Sequence, residues 1–378
     1  MKRIIALAML AAALAACNED RSVTGPAEAL VPGLAAAKTS DATVGGRGTV
    51  YTLMNLTSGN AVAVFSRAKD GTLTATGTVA TGGAGTGTSL GSQGAVVLSN
   101  DGRWLYAVNA GSNDVSIFRV ERGLTLTHRF GSGGSMPISV TVRAHVLYVL
   151  NAGGAGNITG FALDERGGAR PLAGSTRGLS GNASTVGPAE IAFSNDGRFL
   201  VVTEKNTNLV DVYPVDAHGT AGALTSFPSA GITPFGFSFG DDHELFVSEA
   251  NGTASSYRLD RGPLQTLSGA VTTHHAAPCW LVVAHDGRFA YTANAHDGTI
   301  SGFVVGGHGT LTLLDASGTT ATPGAGNLDL AFDHTGRFLY QLRSGGPITA
   351  YRMEHDGHLT QIGIAGNMPG AVAGLAAW

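Results

Sequence analysis

Two cysteines in 378 residues rule out a disulfide framework as the organiser of this chain. Charge is also scarce, at 13% of residues, with a formal net charge of −4 that becomes −6 once Lys2 and Arg3 leave with a leader. No basic stripe is available to neutralise phosphates, which excludes nucleic acid as a partner. After the first 16 residues no apolar run reaches the ~18 to 20 residues that span a bilayer. Zinc spacings, phosphate loops, nucleophile elbows and dinucleotide fingerprints are missing from any supporting context. What is abundant is glycine: 56 residues, about twice the usual share, which disfavours long helices and favours many short strands and turns.

Met1–Ala16 reads as a targeting segment, with Lys2 and Arg3 as its charged end and Ile4–Ala13 as its apolar stretch. Leu14-Ala15-Ala16-Cys17 resembles the bacterial lipobox, which implies that Cys17 is lipidated and begins the mature chain. Cys279 is then the only thiol left, without a partner in the chain. Residues 17–47, rich in Ala, Gly, Ser, Thr and Pro, read as a tether. The expected product is an exported monomer, periplasmic or on the cell surface, touching a membrane only through the lipid.

From Gly48 one phrase recurs. Ser99–Val120 (SNDGRWLYAVNAGSNDVSIFRV) reads as an Asp-Gly turn, an apolar strand, a second polar turn and an alternating strand. It returns from Ser194, Ala284 and Asp333, with weaker copies from Gly48, His145 and Glu244. Aligning Tyr51, Tyr106, Tyr148, Val201, Phe246, Tyr291 and Tyr340 gives steps of 55, 42, 53, 45, 45 and 49 residues, the period of a propeller blade. Each copy holds four strands, A to D. Residues 369–378 offer an A strand without successors, whereas Gly48 opens with B, C and D and no A. The fold class is therefore all-β, with residues 48–378 forming a seven-bladed β-propeller closed by the C-terminal strand joining the N-terminal three.

In such a ring the Asp-Gly-Arg turns between A and B lie on one rim and are structural, while A-strand starts and B–C loops share the other rim, where chemistry belongs. If the A–B turn is centred on Gly197, Glu190 faces Glu204 across the hairpin. Three outcomes are open for such a pair: one carboxyl stays protonated as a general acid or base, both hold a divalent cation such as calcium, or Lys205 neutralises them in a structural network. The same arithmetic places Asp329 opposite Arg343 as an ion pair. Asn109, Asn151, Asn294 and Glu249 end B strands at the same rim; Cys279 starts an A strand there, and Trp280 and Phe235 offer an apolar wall for a ring-shaped ligand. Cys279 reads as a small hydrophobe with nucleophile as the lesser alternative, and adjacent His274 and His275 point apart, against shared metal ligation.

The phrases DGRWLYAVN and DGRFLVV, followed about a dozen residues later by VSIF or VDVY, resemble the seven-bladed lactonase family. That family includes bacterial phosphogluconolactonases and fungal carboxymuconate-cyclising enzymes, and it is related to the YVTN-repeat surface propellers. The resemblance spans the whole domain and implies lactone chemistry at the channel mouth. Family enzymes often carry Gly-Pro-Arg-His at an A-strand start and Asn-Glu at a B-strand end; here stand Gly187-Pro188-Ala189-Glu190 and Thr203-Glu204. Three readings follow. The first is a lactone hydrolase using Glu190 and Glu204, with Arg343 or rim asparagines at the oxyanion and no cofactor. The second is a calcium-dependent variant like the gluconolactonase propellers, and the third is a non-catalytic surface binder. An exported protein would seldom meet a phosphorylated sugar lactone, which disfavours that substrate.

Overall fold

A computed structural model describes residues 48–378 apart from 242, 261, 262, 369 and 370. The leader, Cys17, the tether and the expected A-strand start at Pro369 lie outside the described residues. Seven antiparallel sheets surround one axis, six of four strands and one of five. Their inner A strands are Val96–Leu98, Pro137–Arg143, Pro188–Phe193, Pro234–Phe239, Pro278–Val283 and Asn327–Phe332 in blades II to VII. Blade I takes its A strand, Ala373–Ala377, from the far end of the chain. The extra strand is a second outer segment, Arg177–Gly178, in blade III. Long helices are absent among the described residues, as expected; one helical turn, Ala183–Val186, precedes blade IV.

Closure follows the expected pairing, with Val50 opposite Ala377 and Thr52 opposite Leu375. Thr49 and Trp378 exchange backbone hydrogen bonds of 3.2 and 2.9 Å, and Thr52 Oγ1 donates to Gly374 O at 2.7 Å. Arg67 reinforces the seam: its Nε donates to Trp378 O, and its guanidinium lies 3.5 Å from the buried Asp333 of blade VII.

The recurring tyrosine also has a clear physical role. Buried between blades, Tyr148, Tyr291 and Tyr340 each donate a phenolic hydrogen bond to the C–D turn of the following blade, at Gly219 O, Gly357 O and Gly71 O respectively. The apolar body fills the interface while the hydroxyl satisfies a turn carbonyl, which is why a tyrosine suits this position. The Asp-Gly-Arg turns are structural as read. Asp101, Asp196 and Asp286 each accept the backbone N–H of the arginine two residues on, and Gly197 takes a φ of 75° that other residues adopt at a cost.

Candidate functional site: a sealed axial mouth

Strand starts at the rim opposite those turns share an irregularity. Register shifts fall between Pro137 and Ser139, Pro188 and Glu190, Pro234 and Phe237, Pro278 and Trp280, and Asn327 and Leu330. Each of these five inner strands thus bulges just after its first residue, and a bulge re-aims the side chains around it. Two expectations fail for this reason. Glu204 pairs with Pro188, and Glu190 pairs with Thr203, so the two glutamates are not cross-strand partners. Asn327, not Asp329, stands opposite Arg343, and Arg343 Nε has no hydrogen-bond partner.

Glu190 instead meets groups from other blades. Its Oε2 accepts the backbone N–H of Phe237 at 2.7 Å. Burial is the main cause that holds its carboxyl well above the usual range, and the charge of Asp329 pushes the same way. Asp329, on the inner strand of blade VII, is pushed up to about 7 by burial, with backbone N–H donors opposing the shift. The interacting acids are therefore contributed by two blades rather than by one hairpin.

Above them lies a segment whose destination the sequence did not reveal. The connection between blades I and II, from Ala80 to Val96, crosses the mouth, and Leu90, Ser92 and Gln93 are buried. Ser92 Oγ donates to Ile138 O, and Trp280 Nε1 donates to Ser92 O. Gln93 spans the axis: its Nε2 donates to Leu281 O at 2.9 Å and Phe237 O at 3.3 Å, and its Oε1 accepts Leu281 N at 3.0 Å. Lys205 Nζ donates to Gly91 O at 2.7 Å and lies 5.0 Å from the Phe235 ring centroid; desolvation pushes its ammonium down to about 8. Trp280 and Phe235 do form an apolar wall, their ring centroids 5.1 Å apart, but it is buried beneath this strap. A crevice of about 10 Å³ remains, lined by Ser89, Leu90, Trp280, Leu328, Asp329 and Gly374. It has room for about one water molecule beside Asp329.

The B-strand ends form a second set. Asn109, Asn151, Glu204, Glu249, Asn294 and Arg343 occupy equivalent positions. Asn109 Nδ2 donates to Asp114 and Ser116, and its Oδ1 accepts from Asn60 and Thr81. Asn151 donates to Ser132 O and Asn157, and Asn294 donates to Thr299 and Ser301. Glu249 accepts from Gly231 N, Ser229, Thr253 and Ser255, whereas Glu204 accepts from Ser180 N, Ser180 Oγ and Thr207 Oγ1. These five side chains are fully buried and turned into their own loops, so they fasten the connections between blades. His275 likewise joins loops, its Nδ1 3.2 Å from Asp297 Oδ2 and its Nε2 2.7 Å from Thr319 Oγ1. Cys279 is fully buried at the start of the blade VI inner strand.

One position breaks this pattern. Where blades II, V and VI place Ser116, Ser255 and Ser301 two residues into strand C, blade IV places Asp211, fully buried with neither oxygen well hydrogen-bonded. Burial first, and Glu204 beside it second, push Asp211 up to about 8. An unfolded carboxyl ionises near pH 4 while the folded one keeps its proton, so stability falls as pH rises from about 4 to about 8. Asp211→Asn removes this dependence. Its thermal midpoint is expected to exceed that of the parent by a few °C at pH 8 and by less at pH 5, as read by circular dichroism.

Seven blades closed by the chain's own last strand define a seven-bladed β-propeller, with groups from several blades meeting at its mouth. The family described as "Lactonase, 7-bladed beta-propeller" matches residues 46–176, 173–260 and 241–329, and the chain belongs to it. Solved structures of similar shape include a putative 6-phosphogluconolactonase from Bacteroides fragilis, with 18% identity, 90% of this chain and 100% of that chain covered, and a TM-score of 0.71. Another is the periplasmic gluconolactonase of Pseudomonas aeruginosa, with 16% identity, coverage of 87% and 99%, and a TM-score of 0.66. A Lactobacillus plantarum protein matches at 18% identity, coverage of 88% and 99%, and a TM-score of 0.73. At these identities the likeness concerns fold alone. A search of curated proteins finds no match.

Proposed function

We propose that this propeller hydrolyses a small lactone of the sugar-acid type at the mouth beneath the strap, with Asp329 and Glu190 as the working pair. The observation that carries the proposal is that two buried inner-strand carboxyls, both shifted upward, interact across blades, and that a crevice with room for one water lies against one of them, Asp329. A group titrating near 7 suits a general base at neutral pH, and a carboxyl held protonated suits a general acid. Asp329 takes a proton from the water as its oxygen attacks the ring carbonyl. The acyl C–O bond then breaks, Glu190 protonates the departing alkoxide, and the product is an open hydroxy acid. Lys205, bound to the strap at Gly91, supplies positive charge for the developing oxyanion. Glu204, committed to Ser180 and Thr207, is a structural residue in this scheme and replaces the expected Glu190–Glu204 pairing.

The strap must lift for a substrate to reach Asp329, because the crevice holds only water. Its fastening to blades III to VI also favours a second reading, a propeller that binds a ligand without turning it over. Acid release from a panel of simple lactones separates the two. Turnover abolished by Asp329→Asn supports the hydrolase, and no turnover of any lactone by the parent supports the binder.

Among the described residues no three His, Cys, Asp or Glu side chains converge as a metal-binding group. Hydrolysis is accordingly expected to be unchanged after exhaustive chelation. A loss restored by calcium would favour the metal-dependent variant. We also propose export with a lipid on Cys17, supported by the charged and apolar leader and the Leu14–Cys17 sequence. The mass of the mature N-terminal peptide tests it.

A further inference from the structure

The other end of the channel is open. A cavity of about 400 Å³ lies where the inner strands of blades V, VI and VII run out into their A–B turns, on the rim that the sequence reading treated as purely structural. Small-molecule sites commonly start at roughly 300 Å³, so the space is adequate for one compact ring. Phe239, Val282 and Phe332 contribute apolar surface, and Ser238, Asp241 and His285 contribute polar groups. Among the described residues no lysine or arginine lines it. Phe332 is braced by Tyr291 and His285, with ring centroids 5.8 and 6.1 Å away.

The repeated turn glycines leave room for the polar groups. The Asp241 side chain lies over Gly287 and that of His285 over Gly336; a Cβ on either glycine would come within 2.9 Å of it. Each glycine is therefore needed for close approach as well as for its positive φ, and each makes room for a side chain from the preceding blade. A carboxylate and an imidazole thus lie beside an aromatic face, each packed over the turn glycine of the next blade.

We propose that this open mouth binds a neutral pyranose ring. The apolar face of a sugar packs on Phe239 and Phe332, its hydroxyl groups donate to Asp241, and His285 and Ser238 complete the polar edge. The carboxylate of Asp241, with no lysine or arginine among the described lining residues, rejects anions such as sugar acids and sugar phosphates. This site is separate from the one proposed for lactone turnover, lies at the opposite rim, and needs no movement of the strap.

Saturation-transfer NMR with methyl β-D-glucopyranoside, alongside sodium gluconate as the anionic counterpart, tests the proposal on the full propeller. Transfer to the ring protons of the glucoside and none to gluconate is expected. Asp241→Ala and His285→Ala, both exposed side chains, are each expected to weaken glucoside binding at least tenfold while leaving the thermal midpoint and lactone hydrolysis unchanged. Absence of transfer from the glucoside overturns the proposal. So does transfer that survives the double variant, or equal binding of gluconate.

Discussion

Deleting residues 373–378 is expected to abolish cooperative folding. The lost segment is the inner strand of blade I, paired with Thr49–Leu53 from Val50 to Leu53. Its removal strips several backbone hydrogen bonds, each worth about 1 kcal/mol net. It also uncovers Tyr51 and Val50 and removes the buried Leu375 and Ala376. The Trp378 ring, which lies over Gly102 and stacks on His334 at 4.8 Å, leaves with it. The sum is on the order of the whole stability of a domain, about 5 to 15 kcal/mol. A ring open between blades VII and I also presents an unpaired inner edge, which invites association with other chains. Circular dichroism melts and size-exclusion chromatography are expected to show loss of the sigmoidal transition and a shift to large species. A monomeric truncated chain with an unchanged midpoint would mean that the ring does not depend on its last strand. Thr52→Val, which removes only the bond to Gly374 O, is expected to lower the midpoint modestly and keep the cooperative transition.

Glu190→Gln and Asp329→Asn are each expected to reduce kcat for lactone hydrolysis by more than about a hundredfold, as loss of a general acid or base typically costs 10²–10⁴. KM is expected to change little, since neither side chain is the main grip on substrate. The pH profile gives the sharper test. Asp329 must be ionised to accept a proton, so the rate climbs through pH of about 7, where burial places its ionisation. Glu190, whose carboxyl burial holds well above the usual range, supplies the proton in this scheme, so the rate also falls wherever that carboxyl ionises. Asp329→Asn removes the limb near 7 from whatever activity persists. Glu204→Gln is expected to behave differently: two hydroxyls and a backbone N–H depend on its carboxylate, so it lowers the melting midpoint and leaves kcat within a few-fold. A hundredfold fall in kcat for Glu204→Gln at unchanged stability would return chemistry to that residue.

Architecture was legible in the sequence because it is repeated. A strand that must bury a tyrosine against the next blade and turn at an Asp-Gly pair leaves the same phrase many times, and the phrase counts the blades. The unpaired A strand at one end and the missing one at the other identified the seam. Geometry at the mouth was not legible, for two physical reasons. Hairpin arithmetic assumes unbroken register, and bulges in five inner strands break it at the rim where the candidate residues lie. Pairing within a hairpin also says nothing of neighbours across the axis, and there Asp329 of blade VII raises Glu190 of blade IV. The strap did leave a trace in the sequence. The step from Tyr51 to Tyr106 is 55 residues, the longest of the six, and the surplus is the Gly-rich stretch that covers the channel. Length reported an insertion; nothing in its glycines and serines announced where Gln93 would reach.

Gly48 and Trp378 lie side by side at the rim of the Asp-Gly-Arg turns, the same rim as the cavity bounded by Asp241 and His285. An affinity tag fused after Trp378 therefore starts on the same rim as that vestibule, and a polyhistidine tail there brings imidazoles to the side of the ring that carries the Asp241 carboxylate. Screening with protein from which such tails have been cleaved avoids mistaking the handle for a competitor.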